Sequence, residues 1–288
     1  MENEKSFIEQ WKECLDAKTS ELLQTEDSII EFLDYLNRER SNHTVFNKIM
    51  IRAYCPKATY VLRKEDWEGG GFTITKPEEA IWTMRYCGKR FGFVPQLEYD
   101  ISATSAEGTK LPNEQISADH IVELLVADPP VPLVFFPAGN SSMKCYYNPD
   151  EKMITYTAGF LNWEEICSRF YREYAHYFLH SDDYRWKRMV WAEKNAGVPM
   201  PYEYARGNYD GAASLAVYLL ETKYKTKHLG KPRFYGNFAN NKEARDYMQM
   251  ALSVTNRIVF HLKDVDRRLQ EEDEAARKKK EEEEKGGG

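Results

Sequence analysis

Along the first thirty-odd residues, the apolar positions Phe7, Trp11, Leu15, Leu22, Leu23, Ile29, Ile30 and Leu33 recur among acids and amides. Steps of three and four put one apolar stripe on a helix, so the pattern predicts two amphipathic helices, the second capped by Thr25 or Asp27. From about residue 72 the rhythm shortens to β-rich runs: Phe72-Thr-Ile-Thr, Ala80-Ile-Trp-Thr-Met and Phe91-Gly-Phe-Val-Pro-Gln-Leu-Glu-Tyr. Gly69-Gly-Gly71 and Gly88 break these runs, as in a hairpin or small sheet. Residues 102–118 are polar and rich in turn formers, which predicts a connector between domains. A helix over 118–127 and a strand over 131–136 follow, then Cys145-Tyr-Tyr and Met153-Ile-Thr-Tyr around the turn Asn148-Pro-Asp-Glu. Helices are expected over 162–180, over 209–222 and from about 241 onward. The fold class is therefore α+β. The expected domains are 1–113, 114–265 and a charged helical tail, 266–288, whose stretch 271–285 alternates acidic and basic blocks without apolar side chains other than alanine.

Charge sharpens this division. Residues 1–35 hold ten acids against three lysines, whereas 36–64 hold Arg38, Arg40, Lys48, Arg52, Lys57, Arg63 and Lys64 against Glu39 alone. Within the basic segment the cations alternate with Asn42, His43, Phe46, Asn47, Tyr54 and Tyr60. Such mixtures bind single strands: cations neutralise phosphates, amides bond to backbone or base edges, and rings stack on bases. Trp67 and Trp82 are candidates either for this platform or for the core. The net charge of −6 argues against nucleic-acid binding over the whole surface, while leaving a local basic patch possible. With 14% aromatic residues the chain carries enough apolar surface to fold. Five scattered cysteines without a Cys-x-x-Cys pair argue against a disulfide framework or a Cys-rich zinc module. No basic leader followed by an apolar run is visible, and no stretch suggests a membrane span, so a cytoplasmic location is expected.

The most telling chemistry lies in Arg172-Glu-Tyr-Ala-His176, followed by His180. It copies the zinc-protease helix His-Glu-x-x-His, with arginine at the first ligand position. In the intact motif two imidazoles one turn apart hold Zn²⁺ and the glutamate polarises the bound water. A guanidinium has no acceptor lone pair and stays protonated, so Arg172 cannot be a ligand and repels a cation. Glu173 is then the remnant of a dismantled catalytic site, and Arg172 is expected to form an internal ion pair with Glu173 or Asp210. A rearranged metal site of His176, His180 and Asp210 is the competing possibility.

Asn42-His-Thr44-Val-Phe-Asn47, Cys55-Pro-Lys-Ala-Thr59 and Arg172-Glu-Tyr-Ala-His176 follow one another in an order that resembles the ArdC-type antirestriction proteins. Asn42-His-Thr44-Val-Phe-Asn47 with Cys55-Pro-Lys-Ala-Thr59 resembles the signature of their single-stranded-DNA-binding domain. Asp100-Ile-Ser-Ala-Thr-Ser with Leu111-Pro112 is similar to their connector, and Cys145-Tyr-Tyr-Asn-Pro-Asp-Glu-Lys-Met-Ile to one of their strands. Arg172-Glu-Tyr-Ala-His176 takes the place of their His-Glu-x-Ala-His, and Phe234-Tyr-Gly-Asn-Phe-Ala resembles a segment before their last helix. The resemblance implies an N-terminal helical and hairpin domain that binds single-stranded DNA, followed by a zincin-like metallopeptidase scaffold and a C-terminal helix. It also implies a role for mobile elements, such as plasmids or phages, against host defence. Where the family's later ligand helix has an inner acid, this chain has Ser214, leaving Asp210 to answer to the outer one.

These readings converge on an anti-defence pseudoenzyme. Arg38, Arg40, Asn42, Thr44, Asn47, Lys48, Arg52 and Lys57 are the residues expected to meet nucleic acid, and no cofactor is expected, zinc being the one candidate. Partners are single-stranded DNA and a host defence protein, and no membrane. The alternatives are an active zinc peptidase with a non-standard site that uses Glu173, and an acidic protein that inhibits a defence complex directly.

Overall fold

The computed structural model describes residues 6–88, 92–111, 116–136, 145–157, 162–194, 206–226, 232 and 240–286, of which 182–194, 206–208 and 285–286 are described by backbone alone. The Phe234-Tyr-Gly-Asn-Phe-Ala motif and Pro112 lie outside the described residues. The chain is α+β, with small sheets and a helical C-terminal part. It divides into two compact units, 1–114 with 235–249, and 115–234 with 250–288. No helix among the described residues is long and apolar enough to cross a membrane.

The first unit is entered by α1 (Phe7–Leu22), which Ser6 and Glu9 start as a reciprocal capping box, Ser6 N donating to Glu9 Oε2 at 2.8 Å. Thr25 caps α2 (Glu26–Arg38), accepting from Ser28 N at 3.1 Å. Thr44 caps α3 (Val45–Tyr54). Their apolar stripes meet around Leu15, Phe32, Leu33, Val45, Ile49 and Met50, all buried. An antiparallel sheet of order β1-β3-β2 completes the unit, formed by β1 (Val61–Arg63), β2 (Ile81–Tyr86) and β3 (Phe93–Asp100). The short α4 (Lys64–Gly69) seats Trp67 in the core, where its indole N–H donates to Tyr99 O at 3.0 Å. Trp67 is thus a packing residue.

The sequence expectation fails at two places here. The run Phe72-Thr-Ile-Thr forms only an isolated bridge, Ile74 with Thr104. Thr75 N and Lys76 N both donate to Ala103 O, at 2.9 and 3.2 Å, and Pro77 has no N–H, so a regular ladder cannot continue. The polar stretch beginning at residue 102 is also not a loose connector at its start. Ala103, Thr104 and Ala106 are buried beside Trp67 and Tyr99. The Thr104 hydroxyl donates to Ile101 O at 2.9 Å and accepts from Ala106 N at 3.1 Å, so a polar side chain satisfies buried backbone.

The second unit pairs α5 (Ala118–Ala127) with α6 (Trp163–Lys194), which is longer than its periodicity predicts, and α6 with α7 (Arg206–Tyr224). Its sheet has the order β4-β6-β5, from β4 (Leu133–Phe136), β5 (Cys145–Asn148) and β6 (Met153–Thr157), with β4 parallel and β5 antiparallel to β6. Gly211, Ala212, Ala213 and Ala216 give α7 a small-residue face that admits close packing. One helix, α8 (Asn241–Gly286), contributes its first turns to the first unit and the remainder to the second. Its second-unit stripe runs Ala251, Val254, Ile258, Leu262 and Val265, and every residue described from 271 to 284 is exposed.

In the first unit those first turns are tied to α1. Asn241 Nδ2 donates to Asp16 O at 2.9 Å and to Ser20 Oγ at 2.7 Å. The Arg245 guanidinium, 7% exposed, pairs with Asp16 Oδ1 at 2.6 Å and lies over the Phe46 ring. Gln249 Oε1 accepts from Val45 N at 2.7 Å, satisfying an N-terminal amide of α3.

Candidate functional site

The basic segment separates into outward and inward members. Arg38, Arg40, Asn42, Thr44 and Lys57 are exposed. Arg38 crosses to Pro56 O at 2.7 Å and lies over the Tyr35 ring, which holds the chain after α3 beside the end of α2. Arg52 is half-buried, 3.2 Å from Glu31 and over the Phe32 ring. A hollow of about 300 Å³ opens here, lined by Lys18, Glu21, Phe32, Ile49 and Arg52 among others.

Asn47 and Lys48 have internal partners. Asn47 accepts from Met84 N at 2.9 Å and donates to Met84 O at 3.0 Å. Its amide thereby imitates a neighbouring strand and closes the outer edge of β2. Lys48, 3% exposed, pairs with the Glu39 carboxylate and donates to Glu39 O at 2.8 Å. Burial lowers the Lys48 pKa, and the Glu39 charge works against that shift. A lysine inside a basic run reads as surface; the signal for burial was Glu39, the lone acid of the segment.

His43 extends this cluster. Its Nε2 lies 3.0 Å from Glu98 Oε2 and 3.2 Å from Val61 O, with Glu98 itself buried. Burial pushes the His43 pKa down, but the hydrogen bond and charge of Glu98, with Glu39 behind, outweigh it and leave the imidazole raised. A raised histidine stabilises the fold fully below its unfolded value, about 6.5, and loses that contribution as pH climbs through the higher folded value. Thermal unfolding of the full chain is therefore expected to show a downward slope in stability above pH 6.5 that flattens in His43→Gln. An unchanged slope in that variant would show that His43 is not charged in the fold.

On α6, Arg172, His176 and His180 follow at one-turn spacing, with Glu173 beside them. Arg172 Nη2 donates to Asp210 Oδ1 of α7 at 3.0 Å, the second of the two pairings expected from sequence. His176 Nε2, fully buried, sits 3.1 Å from the same oxygen, at ion-pair distance without hydrogen-bond alignment. One carboxylate oxygen thus faces a guanidinium and an imidazole, joining α6 to α7. Glu173 Oε2 accepts from Tyr147 N of β5 at 2.7 Å, and Tyr147 Oη lies 2.7 Å from His180 Nδ1. Burial, with Tyr177 adjacent, raises the Tyr147 phenol. Glu173, the group that metal chemistry would use as base, and His180 are thus both engaged with Tyr147 of β5.

These side chains do not fit a metal ion. Arg172 holds fixed positive charge at the ligand position and Asp210 is its counter-ion. The rearranged set of His176, His180 and Asp210 is not brought together, and among the described residues no group of three His, Cys, Asp or Glu is placed to hold a metal. Ser214, on α7, is half-buried and supplies no carboxylate. Of the cysteines, all free, only Cys167 is buried.

No family model matches the chain, and no curated protein matches it. Among solved structures it is similar to the antirestriction protein ArdC of plasmid R388 in two forms. The Mn(II)-bound structure aligns with a TM-score of 0.46 at 10% identity, over 87% of this chain and 97% of that one. The metal-free structure aligns with a TM-score of 0.40 at 13% identity over the same shares.

Proposed function

We propose that the protein is an anti-defence factor that binds single-stranded DNA through its first unit and carries a metallopeptidase-like second unit without peptidase activity. The observation that carries the reading is the single order in which the ArdC-type motifs run along the chain. The exposed Arg38, Arg40, Asn42, Thr44 and Lys57 support the binding half. The Arg172 pair with Asp210 supports the inactive half. Arg52 belongs to the interface through its rim position at the hollow, whereas Asn47 and Lys48 support it from within.

Binding to an oligothymidylate at several salt concentrations tests the first half. Replacing Arg38, Arg40 and Lys57 by alanine is expected to weaken binding and to flatten its salt dependence by about 0.7 in slope for each phosphate no longer neutralised. Affinity and slope both unchanged in this triple variant would place the interface elsewhere. For the second half, purified protein is expected to contain no stoichiometric zinc and no chelator-sensitive peptidase activity. About one zinc per chain would favour the active-peptidase reading instead.

A further inference from the structure

Among the described residues, the last buried side chain of α8 is Val265. Just beyond it the helix is fastened to α5: His120 Nε2 lies 3.0 Å from Asp266 Oδ1, and Arg268 pairs with Asp128. The final ion pair along the helix, again among the described residues, joins Arg267 to Glu271 at 2.9 Å. From there to residue 284 the helix runs on for about three and a half turns with every side chain exposed.

The charges of this extension are sorted into blocks. Residues 271–274 are acidic, Arg277 to Lys280 basic and Glu281 to Glu284 acidic, with Ala275 and Ala276 between the first two blocks. Opposite signs one turn apart, as at Glu274 and Lys278, favour the helix without a core behind it. Four consecutive residues complete a turn of about 3.6, so each block presents one sign on every side of the helix.

This pattern selects its occupant. Laid antiparallel on a second copy, about a two-fold axis between Ala275 and Ala276, the first acidic block meets the basic block of the other chain: Glu274 faces Arg277 and Glu271 faces Lys280. Farther out, Arg267 and Arg268 face Glu284 and Glu283, and no residue from 267 to 284 meets its own sign. The two alanines at the axis leave room for close approach. A parallel pair in register would set every block against itself. A polyanion is repelled, because residues 271–284 hold eight acids against four bases. A membrane surface finds no apolar face on them.

We infer that the exposed end of α8 is a self-recognition element, through which two chains pair by antiparallel α8 segments in an isologous contact. Exposed ion pairs are individually weak and are screened by salt, so the dimer is reversible and confined to low ionic strength. The inference rests on α8 alone and is independent of what the first unit binds.

The test is sedimentation of the full chain, freed of nucleic acid, from about 1 µM to about 1 mM. Wild type is expected to dimerise at about 10 mM salt, where the Debye length is about 30 Å, and to be monomeric at about 1 M, where it is about 3 Å. An all-acid variant, Arg277→Glu with Lys278→Glu, Lys279→Glu and Lys280→Glu, is expected to remain monomeric at low salt. It is expected to regain a mixed dimer with the complementary variant, Glu271→Lys with Glu272→Lys, Asp273→Lys and Glu274→Lys. A zero-length carbodiimide is expected to join Glu271 to Lys280 in the wild-type dimer; the two stand about 13 Å apart along one helix, so only a second copy brings them into contact. Wild type that is monomeric at low salt overturns the inference. A dimer that survives the high salt, or that the all-acid variant retains, overturns it by assigning the contact to another surface. A dimer cross-linked elsewhere but never between Glu271 and Lys280 overturns the antiparallel register.

Discussion

Lys48→Met is expected to destabilise the first unit by about 3 kcal/mol or more, on the order of 10 °C in its melting. The substitution keeps the length and apolar stem of the side chain while leaving Glu39, 1% exposed, without its counter-charge. Ser41 N, at 3.0 Å, and the Ser41 hydroxyl still donate to that carboxylate, so the penalty is that of an under-compensated buried charge rather than of an isolated one. The paired change Lys48→Met with Glu39→Gln is expected to be more stable than the single one, because it removes both charges together. Denaturant unfolding of the three proteins decides the matter. A single variant as stable as wild type would mean that Lys48 reaches water and remains available to a phosphate.

Arg172→His alone is expected to give a protein that takes up about one zinc ion per chain. The carboxylate needed as third ligand is already in place, since Asp210 Oδ1 stands 3.1 Å from His176 Nε2 and 3.0 Å from Arg172. Substituting the inner position as well, Ser214→Glu, is then unnecessary. Three protein ligands with one open position make the usual zinc set. At free zinc a hundred times the dissociation constant, binding would add about 2.7 kcal/mol to stability. Metal analysis and melting with and without chelator read both effects. No uptake by Arg172→His would show that α6 and α7 are spaced for an ion pair and cannot close on a metal.

What could be read in advance follows from what each signal measures. Periodicity and caps are local, so Thr25 and the stripes of α1 and α2 were legible. That Arg172 would seek an acid was legible from its fixed charge, and Asp210 on the neighbouring α7 answers it. Burial of Lys48 had one sequence signal, the lone acid Glu39 nine residues away, and is completed by His43 and Glu98, which fill the same polar cluster from more distant segments. Asn47 reads as a recognition amide until the edge of β2 arrives beside it. The stretch 102–118 does contain the break between the two units, after residue 114, but its first residues are core: turn-forming residues report local backbone geometry, which occurs inside a core as well as between domains.

The first unit is discontinuous in the chain, and this has a consequence in time. Asp16, Ser20 and Val45 wait for Asn241, Arg245 and Gln249, which are made after the whole intervening stretch. At a synthesis rate of about 5–20 residues per second, the gap between residue 114 and residue 249 lasts on the order of ten seconds. A nascent chain halted at 114 therefore holds α1 with Asp16 unanswered and α3 with its Val45 amide lacking its acceptor. The ribosome delivers the first unit in two instalments, and the second arrives only after residues 115–234 of the second unit have been made.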